Sequence, residues 1–285
     1  MDRNELEIVR QAYAKQVMAA AGVGDERVEA AYAAVRREDF LGPGPWPIMR
    51  WARGYVETPS ADPVYLYTDD VVGILPERHL NNGQPSLHAT LIARAAPQAG
   101  EHVVHIGAGV GYYTAILAEL VGTTGAVTAI EFDQSLAERA ASNFFGKSNV
   151  TVVQGDGAAV DFGAADVIYV NAGATRPAEL WLDRLKEGGR LILPLTCLEA
   201  RDRGPVQRRG AVFRIERRGT AFLAGWISPV AIFPCESARD PASEAALAAA
   251  FQTERWHEVR RLYRRDDLPV EQCWLRAPGW SLAYR

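Results

Sequence analysis

His102-Val103-Val104-His105-Ile106-Gly107-Ala108-Gly109-Val110-Gly111-Tyr112-Tyr113-Thr114-Ala115-Ile116-Leu117 opens as a short apolar run, passes three alternating glycines and continues with helical periodicity. That order reads as a buried strand, a tight turn and a helix. Glycines at 107, 109 and 111 let the backbone turn sharply and let a ligand lie on the main chain, where a Cβ would collide. The helix starting near Tyr112 points its leading N–H groups back at such a ligand. A dinucleotide fingerprint, G-x-G-x-x-G, would want its third glycine at 112, where this chain has Tyr112. By itself the loop is weak evidence, and a strand-to-helix turn with no ligand is the alternative.

Working outward, Ala126-Val127-Thr128-Ala129-Ile130 reads as a second buried strand ending in Glu131, twenty residues past Gly111. A carboxylate there can accept both hydroxyls of a ribose. A helical segment, Ser135 to Phe145, leads to a third strand, Val150 to Gln154, which runs into Gly155-Asp156-Gly157. Singly, Glu131 could be a solvated strand end and Asp156 a turn former. In register within about fifty residues, the three elements are hard to explain singly and point to a ligand of nucleotide type. The G-x-G-x-G spacing resembles motif I of the class I S-adenosylmethionine-dependent methyltransferases. The resemblance implies S-adenosyl-L-methionine held by Gly107, Ala108, Gly109, Gly111, Tyr112, Glu131, Asp156 and Gly157, with Asp156 accepting from the adenine amine.

The chain has 285 residues, enough for one α/β core with additions at its ends, and a formal charge of −4, which argues against an obligate nucleic-acid partner. No run of eighteen apolar residues exists, so no membrane partner is expected. Met1-Asp2-Arg3-Asn4-Glu5-Leu6 lacks a signal-peptide pattern. Cys197, Cys235 and Cys273 and the five histidines form no metal or redox spacing. The expectation is a cytoplasmic protein with free thiols and no metal.

Upstream, Asn4–Ala20 and a helix from about Asp25 are amphipathic, with Asp25 as N-cap. Three prolines between 43 and 47 stop any helix, and the chain to Leu80 reads as an irregular, aromatic-rich cap or lid containing Trp46, Trp51, Tyr55, Tyr65 and Tyr67. Asn81-Asn82-Gly83-Gln84 leads into a helix with Pro85 in its first turn. Downstream, Ala165–Val170 is a fourth strand followed by Asn171-Ala172-Gly173-Ala174-Thr175, a loop expected to face the ligand. Pro177–Leu185 reads as a helix ended by Gly188-Gly189, and Arg190–Pro194 as a fifth strand. Val212–Arg217 alternates like an antiparallel strand, the arginines around Gly204-Pro205 suggest a solvated hairpin, Glu244–Phe251 a helix, and 272–282 closing strands.

Several stretches together resemble the protein-L-isoaspartate O-methyltransferase family: Gly107 to Ala118, Ile130-Glu131, Gly155-Asp156-Gly157, Glu187-Gly188-Gly189 to Pro194, and Arg37-Glu38-Asp39-Phe40 upstream. The family's acceptor motif, I-S-x-P-x-x-x-A, aligns with Asn82-Gly83-Gln84-Pro85-Ser86-Leu87-His88-Ala89. Pro85 and Ala89 match, and His88 matches members that carry histidine there, whereas the serine is replaced by Gly83, with Asn81, Asn82 and Ser86 near enough to substitute. The resemblance implies a Rossmann-like class I methyltransferase fold: a seven-stranded, mostly parallel sheet with an N-terminal helical and aromatic cap and a C-terminal extension. The boundaries expected are 1–80 for the helices and cap, 81–230 for the cofactor-binding core, and 231–285 for the extension.

A carboxylate acceptor is ionised at pH 7 and needs no general base. That suits a site of amides and one histidine, with Asn82, Gly83 and His88 expected to line the acceptor pocket and Asn171 near the methyl; no residue is assigned as an essential catalyst. The expected activity is methyl transfer to an isoaspartyl-type carboxylate of a peptide or protein. A small-molecule or dedicated-peptide acceptor is an alternative, and a cofactor-binding module without turnover another.

Overall fold

The computed structural model describes residues 2–50, 52–78, 80–199 and 207–285. In chain order the elements are α1 (Arg3–Ala21), α2 (Glu26–Ala34), α3 (Glu38–Leu41), β1 (Pro47–Arg50), β2 (Gly54–Glu57), β3 (Gly73–Leu75), β4 (Leu80–Asn81), α4 (Pro85–Ala95), β5 (His102–Ile106), α5 (Tyr112–Val121), β6 (Ala126–Glu131), α6 (Gln134–Asn143), β7 (Val150–Gln154), β8 (Ala165–Val170), α7 (Glu179–Arg184), β9 (Leu185–Glu199), β10 (Gln207–Arg218), β11 (Ala221–Pro229), α8 (Pro241–Phe251), β12 (Arg261–Tyr263), β13 (Cys273–Ala277) and β14 (Trp280–Ala283). They fall into two compact units, Met1–Glu101 with Ala108–Gln154, and His102–Gly107 with Gly155–Arg285.

In the first unit, α1 starts with a reciprocal cap: Asp2 accepts from the Asn4 and Glu5 amides while Glu5 accepts from the Asp2 amide. Asp25 caps α2 as the sequence indicates. Their buried faces carry Tyr13, Val17, Val28 and Tyr32. Strands β6 and β7 pair in parallel from Val127–Val150 to Glu131–Gln154.

The stretch from 42 to 80 is more ordered than its composition suggests. β1 and β2 form one antiparallel hairpin and β3 and β4 a second. The organiser is Arg37, fully buried, whose guanidinium donates to the carbonyls of Leu66 (2.6 Å), Thr68 (3.0 Å) and Asp70 (3.1 Å). A buried cation is tolerated when charge-assisted hydrogen bonds replace its water. Trp51 lies outside the described residues.

The second unit contains a sheet ordered β13-β14-β12-β11-β10-β9-β8-β5. These eight strands already exceed the seven expected, and the excess is antiparallel. Only β5–β8 and β8–β9 are parallel, whereas β9–β10, β10–β11, β11–β12, β12–β14 and β13–β14 run antiparallel. The closing strands are anchored by α8: Trp274 Nε1 donates to Ala250 O (3.0 Å) and Trp280 Nε1 to Ser243 Oγ (3.2 Å).

The helix expected over Pro177–Leu185 is shorter, and Gly188-Gly189 does not cap it. α7 ends at Arg184, and β9 begins at Leu185 in extended backbone. Ala165 pairs with Leu185 and Val167 with Arg190, so residues 186–189 bulge out of the register, with Gly188 at φ +71°. The proposed 201–205 turn lies outside the described residues; the antiparallel pairing of Gln207 with Glu199 is the part of that hairpin the structure shows. Among the described residues no helix is long and apolar enough to cross a membrane.

Candidate functional site

The glycine loop is held open by its own neighbours. In the first unit, Ala108 N donates to Ile130 O (3.2 Å), Gly109 N to Glu131 Oε2 (2.7 Å) and Gly111 N to Ala108 O (3.0 Å), while Asn143 Nδ2 holds Val110 O (2.9 Å). Gly109 and Gly111 have φ of +57° and +95°, a region that favours glycine. No side chain caps α5, whose N-cap is Gly111.

The two glycines serve different ends. A Cβ on Gly111 would lie 2.5 Å from the Phe144 ring, so that glycine satisfies packing. A Cβ on Gly109 would meet nothing nearer than Ile74 Cδ1 at 3.8 Å. Gly109 is therefore the loop glycine whose missing side chain would clash with nothing, touching only Ile74 at van der Waals distance, and where a ligand can rest on bare backbone.

Glu131, at the end of β6, is 8 % exposed, and burial raises its carboxyl pKa, with the Asp133 and Gly109 amides opposing that rise. Asp133 N donates to Glu131 Oε1 (2.9 Å), and Asp133 in turn caps α6 and pairs with Arg78 at 2.5 Å. The Asp133 carboxyl is held down at about 2, chiefly by the Ser135 hydroxyl and then by Arg78. Through Ile74 and Arg78 the β3–β4 hairpin thus borders the glycine loop and Glu131. Tyr112 contributes its backbone here; its ring is buried among Tyr13, Tyr32 and Phe40, beneath the Arg37 guanidinium.

The acceptor candidates of this unit cluster at the start of α4. His88 is 2 % exposed and stacks on Tyr113, with centroids 3.6 Å apart and planes at 12°. Tyr113 OH donates to Gly83 O (3.3 Å), and Gly83 N donates to Asn81 Oδ1 (2.8 Å). A Cβ on Gly83, at φ +68°, would run into His88 Nε2. The imidazole thus occupies the room a serine side chain would need. Asn82 is 6 % exposed, and its Nδ2 is buried without a hydrogen-bond partner among the described residues. The loop is pinned by Asp69, which accepts from Ser86 N (2.7 Å), Ser86 Oγ (2.7 Å) and Gln84 Nε2 (3.0 Å). Neither Asp69 nor Tyr113 stands out as a site residue in the sequence: Asp69 is remote, and Tyr113 sits inside an apolar helix.

In the second unit, Asn171 Nδ2 donates to Gly107 O (3.2 Å) and Asn171 N to Ile106 O (2.8 Å). Gly107 needs to be glycine, because its φ is +75° and a Cβ would lie 3.0 Å from Asn171 O. Asp156 Oδ1 accepts from Ala158 N (2.7 Å) and from the Ser237 hydroxyl. Gly157 is a close-packing position: its Cβ would strike Ile106 Cγ2, and its carbonyl accepts from Trp181 Nε1 (2.7 Å).

Strand, glycine turn and helix, with acidic residues after the two following strands, define the class I methyltransferase fold. Solved structures agree. One titled protein-L-isoaspartate O-methyltransferase is similar with a TM-score of 0.65 and 25% identity, over 92% of this chain and 74% of that one. Another, from Plasmodium falciparum and described in complex with S-adenosyl-L-homocysteine, has a TM-score of 0.61 at 17% identity, over 80% of this chain and 98% of that one. The profile of the protein-L-isoaspartate(D-aspartate) O-methyltransferase family matches residues 10–217, and the chain belongs to that family. A Rhodopseudomonas palustris protein-L-isoaspartate O-methyltransferase is 34% identical over 208 residues, 72% of this chain and 82% of the relative. One from Thermotoga maritima is 33% identical over 180 residues, 61% of this chain and 51% of the relative, so the chain spans about half of that protein.

Proposed function

We propose that this chain is an S-adenosylmethionine-dependent carboxyl O-methyltransferase whose acceptor is an isoaspartyl residue in a protein or peptide. The observation that carries the cofactor reading is the bare backbone at Gly109, open to 3.8 Å, beside the buried Glu131 carboxylate. Membership of the family and relatives bearing that activity in their names support the acceptor. In this reading Gly107, Ala108, Gly109 and Gly111 carry the amino-acid end of the cofactor, Tyr112 contributes only its amide, Glu131 accepts the ribose hydroxyls, and Asp156 with Gly157 meets the adenine. S-adenosylmethionine, when bound, supplies an electrophilic methyl and its own leaving group. The protein's task is positioning and exclusion of water.

An acceptor carboxylate arrives ionised and wants hydrogen-bond donors rather than a base. The buried Asn82 Nδ2 is such a donor, and its desolvation has already been met on folding. His88, rigid against Tyr113, fills the space beside Gly83 and walls this pocket, and Asn171 fixes the first glycine of the loop. The test is methylation of an isoaspartyl peptide with labelled cofactor against the aspartyl control. Label on the isoaspartyl peptide, base-labile as a methyl ester is, is expected; label at the control level rejects the acceptor.

A further inference from the structure

The segment following β11 lies beyond residue 217, where the family match ends, and it reaches Asp156. Gly173 N donates to Phe233 O (2.5 Å), Cys235 N to Gly173 O (2.9 Å), Thr175 N to Ala238 O (2.9 Å) and Asp240 N to Thr175 Oγ1 (2.8 Å). Arg239 Nη1 donates to Gly173 O (2.9 Å) and Thr196 Oγ1 (3.1 Å), and its Nη2 pairs with Glu244 at 2.7 Å. Residues 233–240 are therefore fixed along the loop after β8 on both sides of Ser237. The Ser237 hydroxyl donates to Asp156 Oδ1, which also accepts from Ala158 N, and no described residue donates to Oδ2.

An aspartate's terminal torsion is broad and roughly two-fold, so an untethered carboxylate exchanges its oxygens easily. Two donors on one oxygen remove that freedom. We propose that Ser237 is a positioning residue for cofactor recognition: by holding Oδ1 it presents Oδ2 of Asp156 to the exocyclic amine of adenine. This rests on reading Asp156 as the adenine partner. A carboxylate so fixed accepts from an amine and repels a 6-oxo group, so the hydroxyl sharpens base discrimination as well as affinity.

The test is calorimetric binding of S-adenosylhomocysteine and its 6-oxo counterpart, S-inosylhomocysteine, to the full chain. The wild type, Ser237→Ala, Ser237→Thr, Ser237→Val and Asp156→Asn are compared. The adenosyl compound is expected to bind wild type more tightly. Ser237→Ala should weaken it by about five- to tenfold, the scale of one ordinary hydrogen bond, while leaving the inosyl compound unchanged, so that the preference narrows. Thr should retain the preference and Val, its isostere without a hydroxyl, should lose it, which separates the hydrogen bond from any packing effect. Equal weakening of both compounds, or an unchanged preference in Ala and Val, overturns the role of Ser237. An unchanged preference in Asp156→Asn overturns the adenine assignment beneath it. A wild type that binds neither compound overturns the cofactor reading itself.

Discussion

Putting back the family's serine at position 83 should damage this protein rather than improve it. Gly83 has φ +68°, where a non-glycine residue costs about 1–2 kcal/mol. Its new Cβ would run into His88 Nε2 and lie 2.9 Å from Cδ2. The imidazole has little room to retreat, being 2 % exposed and stacked 3.6 Å from Tyr113. Overpacking of this kind costs about 1–3 kcal/mol. Gly83→Ser should therefore lose about 2–5 kcal/mol, a fall in Tm on the order of 10 °C for a chain this long. The assay is thermal unfolding of Gly83→Ser, His88→Ala and the double variant. Because removing the imidazole clears the space, the double variant should be more stable than the sum of the singles by at least about 1 kcal/mol. Methylation of an isoaspartyl peptide should fall in Gly83→Ser, since the displaced ring disturbs the pocket wall. A variant as stable as wild type, with higher activity and no coupling to His88, would refute this account of Gly83.

The other expectations concern the cofactor loop and the buried cation. Gly109→Ala should cost only about 1–2 kcal/mol of stability, from its φ of +57°, yet weaken S-adenosylhomocysteine at least tenfold in calorimetry. Gly111→Ala, whose Cβ would lie 2.5 Å from Phe144, should instead lose about 2–5 kcal/mol in denaturant unfolding. Arg37→Ala leaves the Leu66, Thr68 and Asp70 carbonyls without their donor and should cost about 3 kcal/mol or more, with early proteolysis between 60 and 80 as the second readout. Burial raises the Glu131 pKa, so the ionised form proposed to accept ribose hydroxyls is lost on acidification at a pH above the ordinary 4.5. Cofactor affinity should weaken as pH falls through that raised value, and Glu131→Gln should remove this limb. The stability linkage has the opposite sense: the raised pKa contributes stability fully present below 4.5 and lost as pH rises through the folded value.

The parts of the fold legible in the sequence are those fixed by local chemistry. Glycines at 107, 109 and 111 between an apolar run and a helical one permit few arrangements, and Asp25 announces its helix through a cap. The hairpins between 42 and 80 were hidden because their strands are two to four residues long and the segment is organised by the side chain of Arg37, distant in sequence. Gly188-Gly189 misleads for a related reason. Two glycines after an amphipathic run fit a helix cap, yet here they let four residues bulge from a continuing strand, a choice made by pairing with β8. Among the candidate residues, Asn82, Gly83 and His88 could be named from the motif, but Asp69 reaches Ser86 across 17 residues and Ser237 reaches Asp156 across 81, and neither leaves a periodic trace.

The glycines show why residue type alone stops short of function. Gly107, Gly109 and Gly111 look equivalent on the page, and all three have positive φ. Their surroundings differ: Asn171 backbone at 3.0 Å from the first, Phe144 at 2.5 Å from the third, and only Ile74 at 3.8 Å from the second. Positive φ explains why each must be glycine for the chain to turn, whereas room above the missing Cβ marks where something other than protein can sit. By the same test Gly157, whose Cβ would strike Ile106, is held by core packing whether or not an adenine lies nearby. Gly83 is a third kind, its space filled by an imidazole from the helix that follows it. A side chain at 83 and the rigid ring at 88 therefore compete for one space, so a change at either position is felt at the other.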